Sequence, residues 1–246
     1  MRICSWNIQL GARLDAVLDA LETEEAFKEV DILALQEASV HDGVEDAAAI
    51  AARLGPGFDH FQATAQQRRG LEQANGLIWR RGALPDAGEP TTVPLPETPT
   101  IEVGHTERML LRMIPPQTRM AVRVEAPGMR IYVVHLDVVG FTHKLEQFTA
   151  VLGDMESRPA VALTVIAGDL NTFGPARPHL WRRIASAAGR AGLVNLTADV
   201  RRTHWTGQKL DAIYASSRVP IAHHAWTVGL RASDHLPVFA DIEAAA

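Results

Sequence analysis

The sequence contains one cysteine, Cys4, in 246 residues. No internal disulfide can form, and a lone cysteine among apolar neighbours reads as a small core side chain. No apolar run approaches the ~18 residues that a membrane-spanning helix needs. The opening MRICSWNIQL lacks a charged segment followed by an apolar one, so no secretory signal is expected. A soluble cytoplasmic protein is the expectation. Positive charge is not in excess either: 24 Lys and Arg face 29 Asp and Glu, for a net −5 and a pI near 6.1. A protein that grips duplex nucleic acid over many phosphates is usually more basic. Nucleic acid therefore stays an open partner that charge does not indicate, and the totals do not locate a local basic patch. Repeats, low-complexity tracts and a clear domain boundary are also absent.

Apolar residues are plentiful. They make up 47% of the chain, enough for one sizeable α/β or α+β domain over residues 1–246. Short apolar runs of strand length recur between turn residues: Arg2–Ile8, Asp31–Gln36, Gly76–Trp79, Met109–Ile114, Met120–Val124, Arg130–Leu136, Ala162–Ala167, Leu210–Ala215 and Val238–Ile242. Helical stripes lie between some of them, at Leu14 to Leu21, Ala47 to Leu54, Leu145 to Met155 and Trp181 to Ala188. This mixture excludes a simple alternating βα sheet. It suits two stacked sheets with helices on the outer faces. Gly82–His105, rich in Pro, Gly, Thr and Glu, reads as one long surface loop.

Polar residues gather where the apolar strands end. The first strand closes on Asn7 and the second on Glu37. A middle strand runs into His135 and Asp137, and another into Asp169 and Asn171. Asp211 sits on the strand near Leu210, and Asp234-His235 precedes the last one. A carboxylate after a single strand is usually a turn former or a helix cap. Six such junctions, if the strands lie side by side, converge on one cleft. Carboxylates crowded there repel one another and raise their pKa values. A hard divalent ion relieves that conflict, and an oxygen-rich set with little cysteine suits Mg²⁺ or Mn²⁺ rather than structural zinc.

The strings SWNIQ, LALQEAS, VVHLDV, AGDLNTF, KLDAIYAS and SDHLPVF resemble, in order, the motifs of the endonuclease/exonuclease/phosphatase superfamily, from Trp6 to Pro237. The resemblance implies a four-layer α/β/β/α sandwich of two mostly antiparallel sheets flanked by helices. It implies that Glu37 is the main metal ligand, with Asn7 beside it and Asp234 in support. By the same resemblance Asp169 positions or helps deprotonate the attacking water, Asn171 and His135 bind the phosphate, His235 contacts the phosphate or acts in water activation, and Asp211 orients His235. One part has independent support. Adjacent residues in an extended chain point to opposite sides, so Asp234 is poorly placed to orient His235 and a remote carboxylate is needed.

Other positions are less determined. Arg119 is either structural or a phosphate contact. Asn75 matches a position that often reaches the phosphate, although NGLIWRR departs from the family's usual pattern there. Trp205 either lines the substrate pocket or sits in the core, and Asp137 has a supporting role or none. His223-His224 cannot both face one ion from a strand. Arg68-Arg69 and Arg80-Arg81 are the leading candidates for a phosphate-steering patch, with Arg201-Arg202 third. The expected activity is metal-dependent hydrolysis of a phosphodiester, nuclease-like. The alternatives are a phosphatase or phosphodiesterase acting on a small molecule or phospholipid head group, and an inactive phosphate-binding relative. Calcineurin-like chemistry is excluded, because the chain has no GNHE-like box.

Overall fold

Strands that read as unbroken apolar runs need cover on both faces. The computed structural model, which describes residues 1–68, 70–97, 117–173, 177–218 and 221–244, shows how that cover is arranged. One six-stranded sheet has the order β13 (Ile221–Thr227), β14 (Val238–Ala244), β1 (Arg2–Asn7), β2 (Ile32–Ala38), β6 (Leu71–Arg80) and β5 (Phe58–Arg68). The other has the order β11 (Val194–Asn195), β12 (Asp211–Ser217), β10 (Leu163–Asp169), β9 (Met129–His135), β8 (Met120–Ala126) and β7 (Thr91–Pro94). A small hairpin, β3 (Val40–His41) and β4 (Val44–Glu45), follows β2.

Alternation along the strands sorts the apolar side chains into three cores. Ile3, Ile32, Ala34, Val122, Ile131, Val133, Val165 and Ala167 point inward and bind the two sheets together. Their neighbours point outward. Cys4, Leu33 and Leu35 pack with Val17 of α1 (Leu14–Thr23), Phe27 of α2 (Glu25–Lys28) and Ile50 of α3 (Asp46–Leu54). Tyr132, Val134 and Ile166 pack with Phe148 of α4 (Phe141–Glu156) and Ile184 of α5 (Arg177–Arg190). The result is the four-layer α/β/β/α sandwich. Among the described residues no helix is long and apolar enough to cross a membrane.

Each sheet holds one parallel pair at its centre, β1 with β2 and β9 with β10; the other pairings within the two large sheets are antiparallel. Parallel strands end at the same edge. Asn7 is in register with Gln36, and His135 with Asp169. Asp211, which opens the antiparallel β12, lies opposite Asp169. The polar junctions therefore share one edge of the sandwich.

Three expectations need correction or limits. Gly82–His105 is not one loop: Thr91–Pro94 forms the edge strand β7, a short segment in which Val93 alone is buried. The rest of that stretch from 98 on, and the expected strand Met109–Ile114, lie outside the described residues. β5 and β13, which the apolar runs do not reveal, are edge strands with alternating or mostly exposed side chains.

The glycine in AGDLN has a steric reason. A Cβ on Gly168 would stand 1.8 Å from the carbonyl oxygen of Val134 on the neighbouring strand. That close approach seats Asp169 beside His135. Gly168→Ala is expected to cost about 3 kcal/mol or more, since a backbone clash cannot be relieved by a rotamer change. Urea unfolding measures it, and a loss under about 1 kcal/mol would contradict the tight approach.

Candidate active site

Asp169 occupies the centre of the edge. It is 1% exposed. Its Oδ1 accepts the backbone N–H of Asn171 at 2.8 Å, and its Oδ2 accepts from Asn7 Nδ2 at 3.1 Å. The Nε2 atoms of both His135 and His235 stand 3.7 Å from the same Oδ2. Burial, with Asp211 nearby, pushes the Asp169 carboxyl up to about 6.

The two histidines differ in charge, and their outer partners set the difference. His235 Nδ1 lies 2.9 Å from Asp211 Oδ2. Burial alone would lower its pKa, but Asp211 and Asp169 outweigh that and raise it to about 10. The two carboxylates favour the imidazolium form of His235. Asp211 itself is fixed by Thr203, whose Oγ1 accepts the N–H groups of Leu210 and Asp211 at 2.8 and 3.0 Å. His135 is the opposite case. Burial, then repulsion from Arg119, His235 and Arg68, holds it well below the usual imidazole range. Arg119 Nη1 lies 3.0 Å from His135 Nδ1. A guanidinium only donates, so Nδ1 accepts and the proton of the neutral ring sits on Nε2. That Nε2 is buried without a hydrogen-bond partner and faces Asp169 Oδ2 and, at 3.9 Å, Glu37 Oε1.

Glu37 owes its position to a bulge. The β2–β6 register shifts between Gln36 and Ala38, and Glu37 sits at φ 51°. A bulge at a sheet rim re-aims a side chain. Gln73 Nε2 donates to its Oε1 at 3.0 Å and Arg68 Nη1 lies 3.4 Å away; no hydrogen bond reaches Oε2 among the described residues. Asn171 is also left-handed, at φ 50°. Its carbonyl accepts from Lys144 Nζ at 2.7 Å and its Nδ2 donates to the Leu136 carbonyl at 2.9 Å.

A carboxylate oxygen of Asp234 lies within 4.8 Å of a ring nitrogen of His235, but Asp234 makes no hydrogen bond to that ring. Its Oδ2 accepts from Gln9 Nε2 at 3.1 Å and lies 3.8 Å from His204 Nε2. Asn75 is buried and donates from Nδ2 to the Met120 carbonyl at 2.7 Å. Arg119 is buried too, and touches His135 and Gln117. Trp205 is 72% exposed at the rim, so it is not a core residue. His223 and His224 are exposed. Gln9, Gln73, Thr203 and Lys144 were not singled out as site residues. Gln9 alone had a signal, as the last letter of SWNIQ.

Asp169, Asp211 and His235 have ligand atoms close enough for one ion, as do His204, Asp234 and His235. In both sets His235 Nδ1 is engaged by Asp211, which leaves only Nε2 to face an ion. Glu37, Asn7 and Asp234 carry hard oxygens of the kind that suits Mg²⁺ or Mn²⁺, with Asn7 Oδ1 accepting the Gln9 N–H at 3.0 Å and Asp234 Oδ2 accepting from Gln9 Nε2 at 3.1 Å.

The sequence profile of the Endonuclease/Exonuclease/phosphatase family matches residues 4–235. The chain belongs to this family. Family members are hydrolases acting on phosphoester bonds. No curated protein sequence matches the chain. Solved structures share the family fold. An endonuclease/exonuclease/phosphatase family protein from Leptotrichia buccalis is 13% identical, covers 99% of both chains and has a TM-score of 0.69. D. rerio TDP2, solved with a single-strand DNA product, is 16% identical over 99% of this chain and 98% of its own, with a TM-score of 0.68. The human Nocturnin catalytic domain, solved with a sulfate anion, is 16% identical over 100% and 94%, with a TM-score of 0.67.

The raised His235 makes the metal-free family fold pH-sensitive. Its contribution is complete below the unfolded value of 6.5 and fades as pH rises toward about 10. Lys209, lowered by burial to about 8, acts in the opposite sense above that point. In EDTA the unfolding free energy is therefore expected to fall between pH 6.5 and 8, and Asp211→Asn to remove most of that slope. Denaturant titrations across this window check it; an unchanged slope in the variant would contradict the pairing.

Proposed function

We propose that this chain hydrolyses a phosphodiester bond with the help of Mg²⁺ or Mn²⁺, water attacking phosphorus in line. The observation that carries the reading is the pair of imidazoles whose Nε2 atoms each stand 3.7 Å from Asp169 Oδ2, one bound through Nδ1 to Asp211 and the other to Arg119, with the Nε2 of His135 unpartnered. Both are donors aimed at one buried point. That is how a site prepares for the oxygens of a phosphoryl group.

Glu37, with Asn7 and Asp234, would hold the ion. When bound, it supplies charge stabilisation at the phosphoryl and leaving-group oxygens. Asp169, at about 6, is poised near neutral pH to accept the proton of the attacking water. His235 donates from Nε2 and spreads positive charge toward the phosphate, with Asp211 keeping it protonated. His135 donates from its own Nε2, in the tautomer that Arg119 fixes. Asn171, held by Lys144 and tied to Asp169 through its backbone N–H, has a second side-chain amide hydrogen to offer a phosphate oxygen. Trp205 at the rim offers a flat apolar face to the substrate's leaving or flanking group.

Turnover of a simple aryl phosphodiester is expected to require Mg²⁺ or Mn²⁺ and to stop in EDTA. Glu37→Gln, Asp169→Asn and His235→Gln are each expected to lower kcat by roughly 10²–10⁴-fold. Wild-type rates in all three variants would overturn the reading, as would metal-independent turnover.

A further inference from the structure

The chain's charge is unevenly placed. Residues 177–209 contain seven Arg and Lys against one acid, Asp199, a net +6; with the whole chain at −5, the remainder carries −11. The same segment differs in how its cations are used. Elsewhere most arginines are neutralised: Arg2, Arg53, Arg81, Arg123, Arg130 and Arg158 have carboxylate partners, while Arg13, Arg119 and Arg218 reach only uncharged groups and stand apart from one another in the sequence. Among the described residues, Arg182, Arg183, Arg190, Arg201, Arg202 and Lys209 have none within ion-pair distance. Unpaired cations concentrated in one stretch of an acidic protein make a field for a polyanion.

The segment also has shape. Arg182 and Trp181 of α5 face Arg201 and Lys209 across a groove of about 390 Å³. Lys209 Nζ lies over the Trp181 ring, 5.1 Å from its centroid. Arg201 and Lys209 are the two ends of a tight loop, closed where Gln208 O accepts the N–H groups of Thr203 and His204 at 2.9 and 3.0 Å. The tip of this loop reaches the active site. Trp205 N donates to the Asp234 carbonyl at 2.9 Å, and the His204 ring packs edge-on against His235 at 4.7 Å. Trp205 continues the series outward, 5.9 Å from His204. One loop thus joins the reacting centre, through stepped aromatic rings, to a cationic groove.

We infer that residues 177–209 form the path of a single-stranded nucleic acid running from the active site across Trp205 to the groove between α5 and the Arg201–Lys209 loop. This rests on the phosphodiesterase reading and names its substrate class. Exposed aromatic faces stack unpaired bases, which a duplex does not offer, while the cations track the backbone. It also moves the steering patch away from the pairs that ranked first in the sequence. Arg80 is tied to Asp31 and Arg81 to Asp59 at the opposite end of the sandwich, Arg68 turns to Glu37, and Arg69 lies outside the described residues.

The test uses the full chain in EDTA, so that binding is read without turnover. The probe is a fluorescein-labelled oligothymidylate of about 15 nucleotides, followed by anisotropy from about 50 to 200 mM KCl. The double reversal Arg182→Glu/Arg201→Glu is expected to weaken binding at least about tenfold and to flatten the log K against log salt slope by about 1.4, for two lost phosphate contacts. The matched reversal Arg81→Glu/Arg218→Glu, at the far end, is expected to leave both unchanged. Circular dichroism confirms that each variant is folded. Equal losses in both variants, an unaltered salt slope, binding of anionic phosphatidylserine vesicles but not of the oligonucleotide, or no binding by the wild type would each overturn the inference. Metal-dependent turnover of an aryl phosphodiester by the wild-type chain would still stand in those cases, so failure of the path and failure of the activity are distinguishable.

Discussion

A carboxylate buried to 1% exposure needs compensation, and the compensation of Asp169 organises this site. Its Oδ2 is shared by an asparagine amide and approached by two imidazoles. The imidazoles are not equivalent. Asp211 favours the cationic form of one, and Arg119 fixes the other as a neutral donor of defined tautomer. Two residues that need never touch substrate thereby set the chemistry of two that face it. The arrangement leaves Asp169 close to its titration point, where a proton acceptor is useful at neutral pH.

The sheets explain why these groups meet. A parallel pair at the centre of each sheet sends two chain ends to the same edge, and stacking the sheets brings both pairs of ends together there. Regular strands would not finish the work. Glu37 and Asn171 both adopt left-handed backbone at the last step, at a cost of order 1–3 kcal/mol each. Gln73 and Lys144 hold the two strained positions. Strain of this kind persists where the surroundings over-determine it, here at the rim of a well-packed core.

The central strands, their polar ends and the four main helical stripes were legible because each has a strong period and an abrupt change from apolar to polar. Edge strands were not. β5 and β13 carry polar residues through most of their length, and β7 has one buried side chain. The supporting partners were hidden for a different reason. Arg119, Lys144 and Gln73 are polar residues whose burial depends on distant segments, and no local pattern announces it. The charge of residues 177–209 was countable from the start, but the arginine pairs looked alike until their carboxylate partners were known. Arg80 and Arg81 are paired, whereas Arg201 and Arg202 are not.

The account turns on Glu37 presenting its oxygens to a hard cation beside Asp169 and the two imidazoles. Anomalous scattering from crystals of the chain grown with Mn²⁺ tests this most directly. The account predicts an anomalous peak on the Glu37 carboxylate, with His235 still bound to Asp211 and not coordinating. A peak centred on His204, Asp234 and His235 instead, with Glu37 left on Gln73 and Arg68, would contradict it.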